Sequence, residues 1–389
     1  MGRNIRLIAL HNFFTDLRFH SAVLILYFTG ITGSYALGMS LFSAVFITAA
    51  VFEVPTGIYS DKIGRRKTLI WGSYFAVLSA IFYALGGSYS ILLVGAVAEG
   101  LSRAFYSGNN NALLYDSLQS ENKHRSYSEI LGKTSSLFQV ALATGAVLGS
   151  IGASFSYPFI MWASVVPQLL CLIIAFQIIE PHLHSKKEEG NIYLHLKSSL
   201  QLLFTHPKLR LIALQDVFSF GINEATFQFR SVFIVTIWPL WAVGVAKFLS
   251  FALASVSFWF SGRIIAKFGE IKSILFARIF GRVIGFFSYG FPGVFSPLFL
   301  SSTSLFFGTV TVASDSFTQK LLTPKERATV PSLTSFFGSI FISIFSILLG
   351  YLADVTTPAR SLLAAEIMSA FILIFVIRLN KISHSSETL

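Results

Sequence analysis

A chain of 389 residues that is 54% hydrophobic and only 12% charged, with a mean hydropathy of +0.69, carries more apolar side chains than a water-soluble core could bury. Its net charge of +11 comes from basic residues that cluster in alternate loops between apolar stretches, which argues against a nucleic-acid surface as the reason for the charge. The single cysteine, Cys171, excludes an intramolecular disulfide framework, and no zinc or haem spacing occurs.

Apolar segments recur along the whole chain, each able to cross about 30 Å of hydrocarbon at about 1.5 Å per residue. Runs this uniformly apolar satisfy their backbone polar groups as helices, not as alternating barrel strands. The expectation is an all-α membrane protein with twelve transmembrane helices. The first set is read at 5–30, 36–60, 68–86, 90–117, 129–154 and 157–179. Asp16, Arg18 and the lack of a cleavage site mark the first span as retained, and Arg6 stands where myristoylation needs Ser or Thr. A polar stretch follows, amphipathic from about Ile192 to Phe204, which reads as a linker with a helix on the membrane surface. The second set is read at 209–237, 240–262, 273–291, 297–320, 329–352 and 361–379. Residues 1–182 are therefore an N-terminal six-helix bundle, 183–208 a cytoplasmic linker, and 209–389 a C-terminal six-helix bundle. Basic loops alternate with loops almost free of Lys and Arg, which places both termini and the 57–68 loop in the cytoplasm.

The two sets repeat each other. "GIYSDKIGRRK" at 57–67 aligns with "GRIIAKFGEIK" at 262–272, pairing Gly57 with Gly262, Lys62 with Lys267, Gly64 with Gly269 and Lys67 with Lys272. "KHRSYS" at 123–128 and "KERATVPS" at 325–332 form a second pair. Two parallel pseudo-symmetric bundles follow from this.

With Gly57, Asp61, Lys62, Gly64, Arg65 and Arg66, the loop between the second and third spans resembles the signature of the major facilitator superfamily, and "FEVPTG" before it is similar to many bacterial members. The resemblance implies a transporter in the bacterial inner membrane whose two bundles rock around a midplane site. It also implies that this charge cluster locks the bundles together on the cytoplasmic side. An anion such as Asp61 is stabilised near the N-terminus of another helix by about 0.3–1 kcal/mol, and the eleventh span, starting near Thr329, is the partner expected. Arg65 is placed to bridge Asp61 to Asp116. In the second copy Ala266 replaces the acid, and Glu270 and Ile271 replace the basic pair, so a second latch is not expected.

Ionisable groups inside spans cost several kcal/mol unless paired or hydrated, so each is a functional candidate. Glu99 and Arg103, four residues apart in the fourth span, share a helix face. They read either as a structural ion pair or as a site where Arg103 holds a titrating carboxylate or an anionic substrate, with Asp16 as the facing acid. The mid-span arginine resembles the drug–proton antiporter signature, with Ser107 and Gly108 in place of its Gln-Gly. Of Asn109, Asn110 and Asn111, at least one is expected to face water or substrate, with Asn110 chosen as the site residue. Glu224, mid-seventh span, is the foremost expected proton site, with a paired structural role as the alternative; Arg278, Arg282 and Glu366 read as inter-helix pairing or snorkelling. The fifth span's Gly145, Gly149 and Gly152 read as close helix packing.

"LGKTSS" at 131–136 has Tyr127 where a phosphate loop needs glycine, and no catalytic motif occurs, so an enzyme is not expected. The function read from the sequence is export of a small amphipathic compound by a monomer, driven by the proton gradient with no cofactor. The alternatives are transport of an anionic carboxylate such as a siderophore, and a non-transporting sensor of the same fold.

Overall fold

A computed structural model describes residues 2–120, 127–181, 200–323, 326 and 329–385. All twelve expected segments are helical, and among the described residues there is no strand. The first span is broken into α1 (Arg3–Asp16) and α2 (Leu24–Thr32). Next come α3 (Tyr35–Ile63) and α4 (Arg65–Leu85). The fourth span is broken too, into α5 (Tyr89–Tyr106) and α6 (Asn109–Ser120). The fifth is α7 (Tyr127–Phe155), and the sixth is split into α8 (Tyr157–Ala163) and α9 (Val165–Gln177). A short α10 (200–205) is the last turn of the expected linker helix, most of which lies outside the described residues. The second set comprises α11 (Pro207–Ile234), α12 (Leu240–Phe268), α13 (Glu270–Gly290), α14 (Ser296–Ser302) continuing through a 3₁₀ turn into α15 (Phe307–Leu321), α16 (Thr329–Val355), and the pair α17 (Pro358–Phe371) and α18 (Leu373–Ser385). Of the second repeat pair, residues 123–126, 325, 327 and 328 lie outside the described residues.

Eight of the helical segments are long and apolar enough to cross a membrane. The expected spans outside that set are the first, fourth, seventh and ninth. Two of them are broken, and all four carry interior charges, among them Asp16, Glu99, Glu224 and Arg282.

Side-chain sorting follows from hydrocarbon as solvent. Large apolar groups point outward, as with Phe155 at 85% exposure and Trp259 at 80%, while alanines, serines and glycines fill the helix contacts. On α4 and α5, for example, Gly72 seats the Tyr106 ring and Gly95 the Tyr83 ring, at distances that leave no room for a Cβ. At the loops almost free of basic residues, helix starts are capped by Ser34, Ser88, Ser156 and Thr357, each accepting the backbone N–H three residues on. At the basic loops α4 and α13 start instead from Gly64 (φ 98°) and Gly269 (φ 79°), with no side-chain cap of their own.

By packing, the chain forms two compact units. The first holds the described residues up to 181 and also Ile234–Phe248, from the end of α11 through the first turns of α12; the second holds the rest of the described residues. The Ile234–Phe248 stretch thus groups away from 209–389, and Gly244 lies against the α7 backbone, where a Cβ would stand 2.6 Å from the Ala146 carbonyl.

The glycine stripe of α7 has a more specific task than general helix packing. Gly145 faces the backbone of Arg18, and Gly149 faces the Phe19 carbonyl so closely that any Cβ would overlap it. The non-helical stretch between α1 and α2 is thereby lodged against α7. Gly149→Leu is expected to lower stability by about 1–3 kcal/mol or prevent folding, since over-packing forces backbone shifts. Gly30→Ala, at an open position, is expected to leave it within about 1 kcal/mol. Thermal unfolding in detergent reads both.

Candidate functional site

The break in the first span lies among the polar groups of the first unit. Residues 17–23 leave the helix, and Arg18 turns back so that its Nε donates to the Thr15 carbonyl (3.0 Å). Its Nη1 reaches Glu99 Oε1 on α5 at 2.7 Å. Arg103, one turn along α5, donates to the same oxygen from Nη2 (2.8 Å) and Nε (3.1 Å). Tyr83 of α4, almost wholly buried, donates its hydroxyl to Glu99 Oε2 (3.0 Å). Every donor is charged or strongly polar and the carboxylate is 7% exposed, so four hydrogen bonds, three to Oε1 and one to Oε2, compensate the buried acid. The expected Glu99–Arg103 pair is therefore present, joined by two groups that the sequence reading did not place there, Arg18 and Tyr83.

Asp16 ends α1 at the rim of this cluster. Arg18 and Arg103 interact with it electrostatically, yet among the described residues no hydrogen bond or ion pair reaches its carboxylate. Arg103 keeps 39% of its side chain exposed and lies over the Phe46 ring, 5.3 Å from the centroid. Asn110 donates to Asn12 Oδ1 at 3.4 Å, while its own Oδ1 is buried without a partner among the described residues.

The motif loop is organised by residues outside the motif. The side chain of Asp61 lies outside the described residues; Gly57 and Lys62 are exposed. Gly64 starts α4, and Glu180, just beyond α9, caps it: Oε1 accepts from the Arg65 N–H (2.7 Å) and Oε2 from the Arg66 N–H (2.8 Å). A carboxylate on two free amides at a helix N-terminus combines charge-assisted hydrogen bonding with the helix dipole. Arg66 also donates to the Phe176 carbonyl (2.8 Å). Arg65 donates to Ser60 Oγ (2.9 Å) and stands 4.0 Å from Asp116, the bridge expected on that side. Asn109, freed by the turn at Gly108 (φ 68°), accepts from Ser60 Oγ (2.9 Å) and donates to the Arg65 carbonyl (3.1 Å). Of the three asparagines, then, Asn109 ties the broken fourth span to the motif loop.

In the second unit Glu224, mid-α11, accepts from Gln228 of its own helix (2.8 Å), and among the described residues no cation pairs with it. Next to it, Asn223 accepts from Arg282 (3.0 Å), whose Nη1 stands 2.6 Å from Glu366. Arg282 and Glu366 do pair between helices as expected, but the pair also extends to the helix carrying Glu224. Gly285 makes room for it, since a Cβ there would touch the Glu366 carboxyl. Arg230 donates to Tyr289 Oη and the Leu300 carbonyl, both at 3.2 Å. Asp216 accepts from Ser314 (2.8 Å).

The second motif copy holds a bridge after all. Glu270, the first residue of α13, accepts from Ser316 (2.7 Å) and Lys320 (2.5 Å) of α15. It occupies the position that aligns with Arg65, and Lys320 falls one residue from the position that aligns with Asp116. The same ladder between third and fourth span is built with the charges exchanged.

Interior charges on broken helices, paired across a bundle, are the arrangement of a membrane transporter. The Major Facilitator Superfamily profile matches residues 7–346, and the chain belongs to that family. Multidrug resistance protein 2 of Bacillus subtilis is 24% identical over 285 residues, 71% of this chain and 68% of that one. An uncharacterized transporter of Buchnera aphidicola is 28% identical over 148 residues, 38% of this chain; the match spans 37% of that relative's length. Among solved structures, a variant of the nucleoside transporter NupG superposes with a TM-score of 0.84 at 11% identity, covering 97% of this chain and all of that one. A D-xylose–proton symporter gives 0.72 at 14% identity, covering 96% and 95%. These likenesses show the fold. The family makes the chain a transporter and not an enzyme.

Two outcomes follow. Glu180→Ala removes both amide partners and is expected to cost about 1.5–3 kcal/mol, with Glu180→Gln costing less; thermal unfolding measures both. Glu270→Lys is expected to lower stability by up to about 1 kcal/mol and Glu270→Lys with Lys320→Glu to restore it, because Lys320 is 66% exposed and the pair is solvent-screened. A double-mutant cycle reads the coupling.

Proposed function

We propose that this transporter is proton-coupled and exports a small amphipathic compound from the bacterial cytoplasm, as a monomer, across the inner membrane, with both termini inside. One observation carries the reading. Glu99 and Glu366 inside the spans are ion-paired, whereas the carboxylates of Asp16 and Glu224, one in each unit, have no cation within ion-pairing distance among the described residues. A carboxylate without a fixed counter-ion in a low-dielectric interior can take up a proton or attract a cation, and cannot hold both; that competition is antiport. The likeness to a relative named for multidrug resistance supports the amphipathic cargo, and the alternation of basic loops supports the orientation.

A second reading has its own support. Arg103 is pinned to Glu99 by one edge and is 39% exposed, so its free edge suits a carboxylate-rich metabolite.

Proteoliposomes with an imposed pH gradient and ethidium as the probe test the first reading. Gradient-driven ethidium movement is expected, and Glu224→Gln and Asp16→Asn are each expected to abolish its dependence on the gradient while leaving downhill exchange. Unchanged proton dependence in both variants overturns the assignment. Competition by polycarboxylates in place of cations selects the second reading, and absence of counterflow for every probe selects the sensor.

A further inference from the structure

At the break in the first span the first unit has a small, partly open cavity, floored by Ala76 and Ala80 and edged by polar side chains. Arg18 and His20 line it from the break, Ser79 and Tyr83 from α4, Glu99 from α5 and Gln168 from α9. It has room for about one water molecule. His20 is held by its backbone N–H, which donates to Ser164 Oγ (3.1 Å), and its ring lies edge-on to Tyr83 with centroids 5.9 Å apart. The ring Nδ1, in a residue 4% exposed, is buried with no hydrogen-bond partner among the described residues. Gln168, 2% exposed, uses its amide nitrogen on the Phe14 and Thr15 carbonyls that end α1 (3.4 Å each), and its Oε1 is likewise without a partner.

Two hydrogen-bonding atoms of two buried side chains, His20 Nδ1 and Gln168 Oε1, are thus unmet beside one small space. A neutral imidazole brings one donor and one acceptor, and the amide oxygen brings an acceptor. Left bare, each such group carries its full desolvation cost. Charge decides what can fill the gap. A cation would meet the Arg18 guanidinium, an anion would meet the Glu99 carboxylate, and the two neutralise each other, so the lining offers no net charge for an ion or an imidazolium to balance. The occupant is neutral, both donor and acceptor, and of the size of one water. We propose that this cavity is a water-binding site, in which one molecule joins the His20 imidazole to Gln168 Oε1 beside the Arg18–Glu99 pair. The water then supplies partners that the interrupted helix does not, and His20 serves as a neutral ligand for it.

The test does not need a transport substrate. In wild-type protein in lipid bilayers, labelled with ¹⁵N-histidine, proton-detected solid-state NMR is expected to show exchange cross-peaks between bound water and the His20 ring; absence of a water contact overturns the proposal. His20→Phe removes both ring nitrogens but keeps a ring against Tyr83. With a bound water its loss strands Gln168, and the thermal midpoint is expected to fall by about 2–4 °C. A dry cavity gives the opposite sign, because deleting an orphaned polar group in an apolar pocket stabilises; a rise or no change overturns the proposal. His20→Gln restores a donor and an acceptor and is expected to hold the midpoint within about 1 °C. A fall as large as that of His20→Phe would assign the effect to ring packing and overturn the proposal as well.

Discussion

Much of the first unit depends on one constraint, the cost of an uncompensated charge at Glu99. A carboxylate inside hydrocarbon is tolerated when its oxygens are filled by cationic or polar donors, and removing one partner of such a pair costs more than the pair contributes. Two arginines and a tyrosine meet that demand here. The geometry they require explains the neighbourhood. Arg18 reaches Glu99 from a stretch that has left the helix; that stretch needs the α7 backbone close beside it, which Gly145 and Gly149 allow; and the carbonyls exposed at the end of α1 are taken by Arg18 and Gln168. The helix break and the glycine stripe are parts of one solution to the charge.

The second unit meets the same kind of demand with other residues. Tyr289, as buried as Tyr83, lies near the equivalent place on the third helix of its set, yet it accepts from Arg230 where Tyr83 donates to Glu99. The bridge at the start of that helix is Glu270 to Lys320 in one unit and Arg65 to Asp116 in the other. An ion pair is indifferent to which helix bears which sign, so a repeat can keep the contact while losing the letters. Comparing the two copies residue by residue hides the second bridge for that reason. Comparing what each position must touch reveals it.

The sequence made the helical class, the order of the spans and the motif loop legible, because each rests on local quantities: run length, hydropathy and loop charge. The Glu99–Arg103 pair was visible too, being four residues apart on one helix. The break at residues 17–23 was not. "LRFHSAV" contains neither glycine nor proline, and what draws it out of the helix is a carboxylate 81 residues away and glycines further still. The cap of α4 by Glu180 spans 115 residues, and a glutamate at the end of a helix reads as solvated until its partner is known. At Gly108 a signal did exist: a glycine followed by three asparagines inside a span is poor helix sequence, and the chain turns there.

Charge bookkeeping within the first unit gives the pairing a further meaning. Asp16, Arg18, Glu99 and Arg103 sum to zero when all are ionised. Glu99 is held by Arg18, Arg103 and Tyr83, whereas no cation lies within ion-pairing distance of the Asp16 carboxylate among the described residues. Under the proposed coupling, a proton on Asp16 would leave the group with one net positive charge, and Arg103 is the more exposed of its two guanidiniums. The pair buried at Glu99 would then keep its own charges compensated in either state, because both partners stay in place. A structural ion pair and a functional site are usually opposed as readings of the same residues. In the proposed cycle they are complementary: the fixed pair at Glu99 would be the reference against which Asp16 acts.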